Sequence, residues 1–242
     1  RCHPQLLCDI CDQYAPSRVV TIAEEHYYDL METPDRWYTA DMVTTFGVLC
    51  AHNAHREDTI YVDGTLPTIS TSRKKSVVNK LPQHIRTIVS VVYTSKHFAV
   101  MRLCLNEKKA YFYDGLFWQI THWDAHMKHV LKRYGIEGTF EKVVGNSEHG
   151  LNGIKVKQDD QSNCGPIACM VLWQLFHPET CYPFMDPSKY RRETLKELRR
   201  LISSHDFECM LVRKKQRQKN INDTDTAQKQ EGTTLPDTPN RK

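Results

Sequence analysis

The stretch Gln158-Asp159-Asp160-Gln161-Ser162-Asn163-Cys164-Gly165 runs straight into an apolar series, Pro166-Ile167-Ala168-Cys169-Met170-Val171-Leu172-Trp173. A polar loop hands over to a buried helix, expected from Pro166 to Phe176, and the handover falls on a cysteine. The first turn of a helix presents N–H groups without intrahelical partners and a partial positive charge. Such a position favours a thiolate, which makes Cys164 a candidate nucleophile. Cys169, five residues further on, reads as core packing.

A cysteine nucleophile needs a base to take its proton, and the base needs an acceptor to orient it. Among twelve histidines, His97 stands out because it opens a predicted strand, Phe98 to Leu105. Asp114 closes another, Lys109-Ala110-Tyr111-Phe112-Tyr113, and Asn106-Glu107-Lys108 makes a turn between the two. If these strands are hairpin neighbours, the start of one lies beside the end of the other. The 17-residue separation of His97 and Asp114 then brings them together at one edge. Gln158, six residues before Cys164, offers a neutral amide donor for an oxyanion, with Gln161 as its competitor.

Around this centre the chain alternates helices and strands. Thr39 caps an apolar series through Met42, Val43, Phe46, Val48 and Leu49 that suits a helix. Short strands are expected at 59–62 and 140–144, and a β-branched one at 87–93. Thr121 is expected to cap a helix reaching Tyr134, stopped by Gly135. Leu195, Leu198, Leu201 and Ile202 suggest a last amphipathic helix. Strands in the middle with helices at both ends imply an α+β domain.

Composition bounds the rest. The chain has 242 residues, of which 40% are apolar and 26% charged, proportions ordinary for a soluble domain. No apolar run has the roughly 18 residues of a membrane span, so no membrane partner is expected. The net charge is +4. Residues 213–242 carry eight Lys/Arg against four Asp/Glu, which accounts for all of it. The remainder is neutral, which argues against a nucleic-acid partner. That tail holds only Ile221, Ala227 and Leu235 as apolar residues and is expected to be disordered. Nine scattered cysteines suit a reducing compartment, nucleus or cytoplasm, better than a disulfide framework. Cys8-x-x-Cys11, with Cys2 and His3 nearby, is half of a zinc spacing without a second pair. Residues 1–20 read instead as the remnant of an upstream region, which leaves 21–212 as the domain. His122, His126 and His129 lie at helical spacing, without acidic partners, and read as a polar helix surface rather than a metal face.

The ordered set Trp37, His97-Phe98, Asp114 and Gln158-x5-Cys164-Gly165 resembles the ubiquitin-like-protein-specific cysteine proteases, the SUMO-protease family, and their relative the adenovirus protease. The likeness spans roughly residues 30–210. It implies a papain-like, adenain-like fold, with a central, mostly antiparallel sheet flanked by helices. It also implies the roles: Cys164 nucleophile, His97 base and then acid, Asp114 orienter, Gln158 oxyanion donor. Trp37 and Phe98 would flank a narrow tunnel for a Gly-Gly tail, which selects glycines by excluding any Cβ. Phe98 stands where the family has tryptophan, Gly115 where it has serine, and Tyr38 where it has leucine. The implied reaction is hydrolysis after the C-terminal Gly-Gly of a ubiquitin-like modifier of the SUMO, NEDD8 or ubiquitin class, by a monomer and without cofactor or metal. Two rivals keep the fold: an effector-type acetyltransferase, and a non-catalytic module that binds a ubiquitin-like partner.

Overall fold

The computed structural model describes residues 37–54, 56–62, 81–94, 97–116, 121–146, 148–151, 156–179, 191–194 and 196. The expected segments 1–20 and 213–242 lie outside these residues, as do the possible zinc ligands Cys2, His3, Cys8 and Cys11. So do Leu195, Leu198, Leu201 and Ile202 of the expected last helix, although residues 191–194 are helical.

In chain order the elements are α1 (Ala40–Asn53), β1 (Thr59–Val62), β2 (Thr87–Thr94), β3 (His97–Cys104), β4 (Lys109–Tyr113), α2 (Thr121–Arg133), β5 (Glu141–Val144) and α3 (Cys164–Phe176). The architecture is α+β, as the alternation of patterns implied. The five strands form one sheet in the order β1-β2-β3-β4-β5. Its centre is antiparallel, β2 with β3 and β3 with β4. Its two edges are parallel, β1 with β2 and β4 with β5. The sheet is therefore mixed. Short turns can join only antiparallel neighbours, and a parallel neighbour needs a crossover, which α2 supplies between β4 and β5.

Local chemistry sets the ends of these elements. The Thr39 hydroxyl accepts from the Met42 N–H at 3.3 Å, and the Met42 thioether accepts from the Thr39 N–H at 3.5 Å. This is a capping box with sulfur in the place usually held by Glu or Gln. Between β3 and β4 the chain turns through Lys108, whose φ of 54° is left-handed. Thr121 proves to be the first helical residue of α2 rather than its cap. At the other end Gly135, at φ 61°, donates to the Lys132 carbonyl, and Ile136 donates to Leu131. That pair of bonds is the Schellman closure that glycine accommodates.

Two apolar layers sandwich the sheet. On one side α2 brings Trp123, Met127 and Val130 onto Ile88, Met101 and Leu103, with the Trp123 and Phe112 ring centroids 5.5 Å apart. His126 belongs to this interface, contrary to the polar-surface expectation. Its Nε2 lies 3.0 Å from the hydroxyl of the fully buried Ser90. Burial, with the nearby His129, pushes the His126 ring down to about 4; His129 itself is exposed. On the other side lie α1 and α3, packed on each other, with α3 also against β3. All thirteen residues of α3 are buried, so it is the central helix of the domain.

Candidate active site

Helix α3 begins at Cys164, two residues earlier than the apolar run suggested. Pro166 tolerates this because N–H groups in a first helical turn have no intrahelical acceptor to lose. The first backbone bond runs from the Ile167 N–H to the Asn163 carbonyl at 3.0 Å. Cys164 thus stands inside the first turn and is 5% exposed. Gly165 is required there by packing. A Cβ at Gly165 would come within 2.6 Å of the Cβ of Tyr38, next to the α1 cap.

The sheet delivers His97 and Asp114 to the same end. In the β3–β4 register Val100 faces Tyr113, so the residue opening β3 and the residue following β4 meet beyond the last pair. His97 Nε2 lies 2.7 Å from Asp114 Oδ1, and both side chains are buried. The same carboxylate oxygen accepts the Leu116 N–H at 2.9 Å. With Nε2 committed to Asp114, Nδ1 is the ring nitrogen left to serve the Cys164 thiol, which hydrogen-bonds to the His97 side chain. Burial alone would pull the His97 ring below its ordinary value. The hydrogen bonds to Asp114 and Cys164, and the negative charge each can carry, outweigh it and push the ring up to about 9. Bonding and opposite charge defeat desolvation here. A ring that holds its proton at neutral pH can balance a thiolate and later protonate a leaving group.

Gln158 is buried on the loop that leads to Cys164. Its backbone N–H donates to the Gly115 carbonyl at 2.9 Å, which fastens the loop directly after Asp114. Gly115 permits this approach, since a Cβ there would lie 3.0 Å from the Cβ of Gln158. The Gln158 amide is turned onto Asp160: it donates to the Asp160 carbonyl at 2.7 Å and also bonds the carboxylate of the same residue. Gln161, the competitor for the donor role, is exposed.

Three residues of this neighbourhood carry no sequence signal of their own. The Asp160 carboxylate accepts the N–H groups of Ser162 and Asn163, each at 2.8 Å, and the Asn163 side-chain amide at 2.7 Å. Burial would raise the Asp160 carboxyl, but the bonds from Asn163, Ser162 and Gln158 hold it below the ordinary range. Buried Arg191, 27 residues beyond Cys164, reaches back to the same turn. Exposed Tyr93 pairs across the hairpin with Phe98, their ring centroids 4.7 Å apart; only the strand register could have revealed it. The expected tunnel residues are placed differently from each other. Trp37 is 45% exposed, and Phe98 is buried. No cluster of three or more His, Cys, Asp or Glu residues suited to a metal occurs among the described residues.

The fold is that of the SUMO-protease class of cysteine proteases. Two solved structures of the SUMO protease Ulp1 carry the likeness. One, with its catalytic cysteine oxidised to a sulfenic acid, matches at TM-score 0.53 and 14% identity, covering 72% of this chain and 81% of that one. The other, with that cysteine oxidised to a sulfinic acid, matches at TM-score 0.52 and 13% identity, covering 81% of this chain and 94% of that one. No protein-family model matches the sequence, and no curated protein matches it. The chain therefore keeps the architecture of Ulp1 with a sequence far removed from it.

Proposed function

We propose that this protein is a cysteine protease that hydrolyses the bond after the C-terminal Gly-Gly of a ubiquitin-like modifier, in precursor processing or deconjugation. The observation that carries the reading is His97, held 2.7 Å from Asp114 and hydrogen-bonded to Cys164, on a fold shared with a SUMO protease. In the reaction His97 takes the thiol proton and the sulfur of Cys164 attacks the carbonyl carbon of the terminal glycine. The tetrahedral oxyanion is met by Gln158 and by backbone N–H groups at the start of α3. His97 returns the proton to the departing amine, which leaves a thioester on Cys164. Water, deprotonated by His97, then releases the modifier. Asp114 fixes the ring and balances its charge throughout. Trp37 and Phe98 flank the path of the Gly-Gly tail, and the working compartment is the nucleus or cytoplasm.

A panel of electrophilic probes bearing different ubiquitin-like C-termini tests this. At least one probe should label the protein at Cys164, and Cys164→Ala should abolish both labelling and turnover. Labelling that survives Cys164→Ala would refute the assignment. Acetylation of the cysteine on incubation with acetyl-CoA would point to acyl transfer instead, and binding without turnover to a non-catalytic module.

A further inference from the structure

The nucleophile's turn is held by a relay that the triad does not include. Asn163, immediately before Cys164, occupies the N-cap position of α3 but makes no side-chain cap bond. An asparagine there ordinarily turns its side-chain oxygen onto the first N–H groups of the helix. Here that oxygen instead accepts from Arg191 Nε at 2.9 Å, while the amide nitrogen donates to Asp160 at 2.7 Å. Arg191 also donates through Nη2 to the Ser162 carbonyl at 3.2 Å. Its guanidinium carbon lies 5.4 Å from the centre of the Tyr38 ring, the residue against which Gly165 packs. Arg191 is only 4% exposed. A buried cation is retained only where it is paired and hydrogen-bonded, and here the opposite charge reaches it through a neutral amide.

The geometry points to Arg191 as a positioning residue of the proposed reaction: through Asn163 and Asp160 it fixes the turn that sets Cys164 against His97. The relay has two consequences. It locks residues 160–163 from both sides, the carboxylate taking the N–H groups and the guanidinium taking the carbonyl of the same turn. It also diverts the only side chain at the N-cap, so the N–H groups of Cys164 and Gly165 are left for an incoming oxyanion. Gln158 is drawn into the arrangement through its bond to the Asp160 carbonyl.

The inference rests on the proposed thiol chemistry, and two readouts on the full chain separate them. The first is alkylation of Cys164 by iodoacetamide at neutral pH, followed by peptide mass spectrometry. The second is cleavage of a fluorogenic ubiquitin-like substrate ending in Gly-Gly. In folded Arg191→Met, alkylation and kcat should each fall by at least about tenfold with KM nearly unchanged, the signature of a displaced nucleophile rather than a lost binding contact. Asp160→Asn and Asn163→Asp should each show the same loss. The double variant exchanges amide and carboxylate, places the carboxylate beside the guanidinium and regains every partner, so it should restore both rates. Folded Arg191→Met with unchanged rates overturns the relay. If Arg191→Met does not fold, a double variant no faster than the single ones overturns it. Alkylation that follows the expected pattern while no ubiquitin-like substrate is cleaved leaves the relay standing and removes the proposed function.

Discussion

His97 is the residue on which the site's electrostatics turn, and its raised value makes the pH behaviour predictable. The folded ring titrates near 9 against an ordinary 6.5. The charged ring's bonds therefore stabilise the fold fully below 6.5, and the contribution fades as pH rises through about 9. The stability gap between the wild type and His97→Gln, followed by urea unfolding across that range, should shrink toward alkaline pH; a gap that widens would contradict the assignment. At Gln158 the expectation is kinetic. As the proposed oxyanion donor, Gln158 predicts a kcat loss of about 10²- to 10³-fold in Gln158→Ala, and a loss below tenfold would shift the oxyanion to the backbone N–H groups of α3. The meeting of His97 with Asp114 was legible in the sequence, because a 17-residue spacing over two strands and a turn allows little else. Asp160 and Arg191 were not. A turn aspartate looks like any other, and an arginine 27 residues downstream reveals its partner only when the chain has folded.

At the scale of elements, the start of α3 is set by the anchoring of the loop before it and by Tyr38 rather than by its apolar run alone. The apolar run suggested a helix from Pro166, yet it begins at Cys164 with Asn163 as its N-cap, because the loop is anchored to Gly115 and Asp160 and enters already turned. The residue before the α1 cap seals the same point, with Tyr38 lying over Gly165. Gly165→Ala must push the two apart, since the obstructing atom is the Tyr38 Cβ, which cannot swing aside. The expected cost is about 1–3 kcal/mol of stability, read by chemical denaturation. A fall in the Cys164 alkylation rate should accompany it, because the nucleophile rides on the displaced turn. An alanine variant as stable and as reactive as the wild type would show that the approach is looser than the geometry indicates. The strands were readable to within a residue from β-branching and turns. The inward placement of His126 was not, because a histidine aimed at a buried serine has the same helical spacing as one aimed at water.

Across the whole molecule, the sheet divides labour between its two faces. Helices α1 and α3 lie on one side, where α3 supplies the nucleophile, while α2 covers the other with an apolar cluster whose described residues include none of Cys164, His97, Asp114 and Gln158. Strand β3 belongs to both, with His97 at one end and Leu103 near the other. Leu103 is fully buried in the α2-side cluster. Leu103→Ala should cost about 2–5 kcal/mol through lost burial and the cavity left behind. Six residues separate it from His97, about 20 Å of extended strand, so the folded fraction should label with the reactive probe at the wild-type rate. Denaturant midpoints and single-turnover labelling below the unfolding transition measure the two quantities independently. If labelling of the folded fraction slowed in step with stability, the two faces would be coupled through β3, and the α2 layer would be part of the device that aligns His97 rather than only its support.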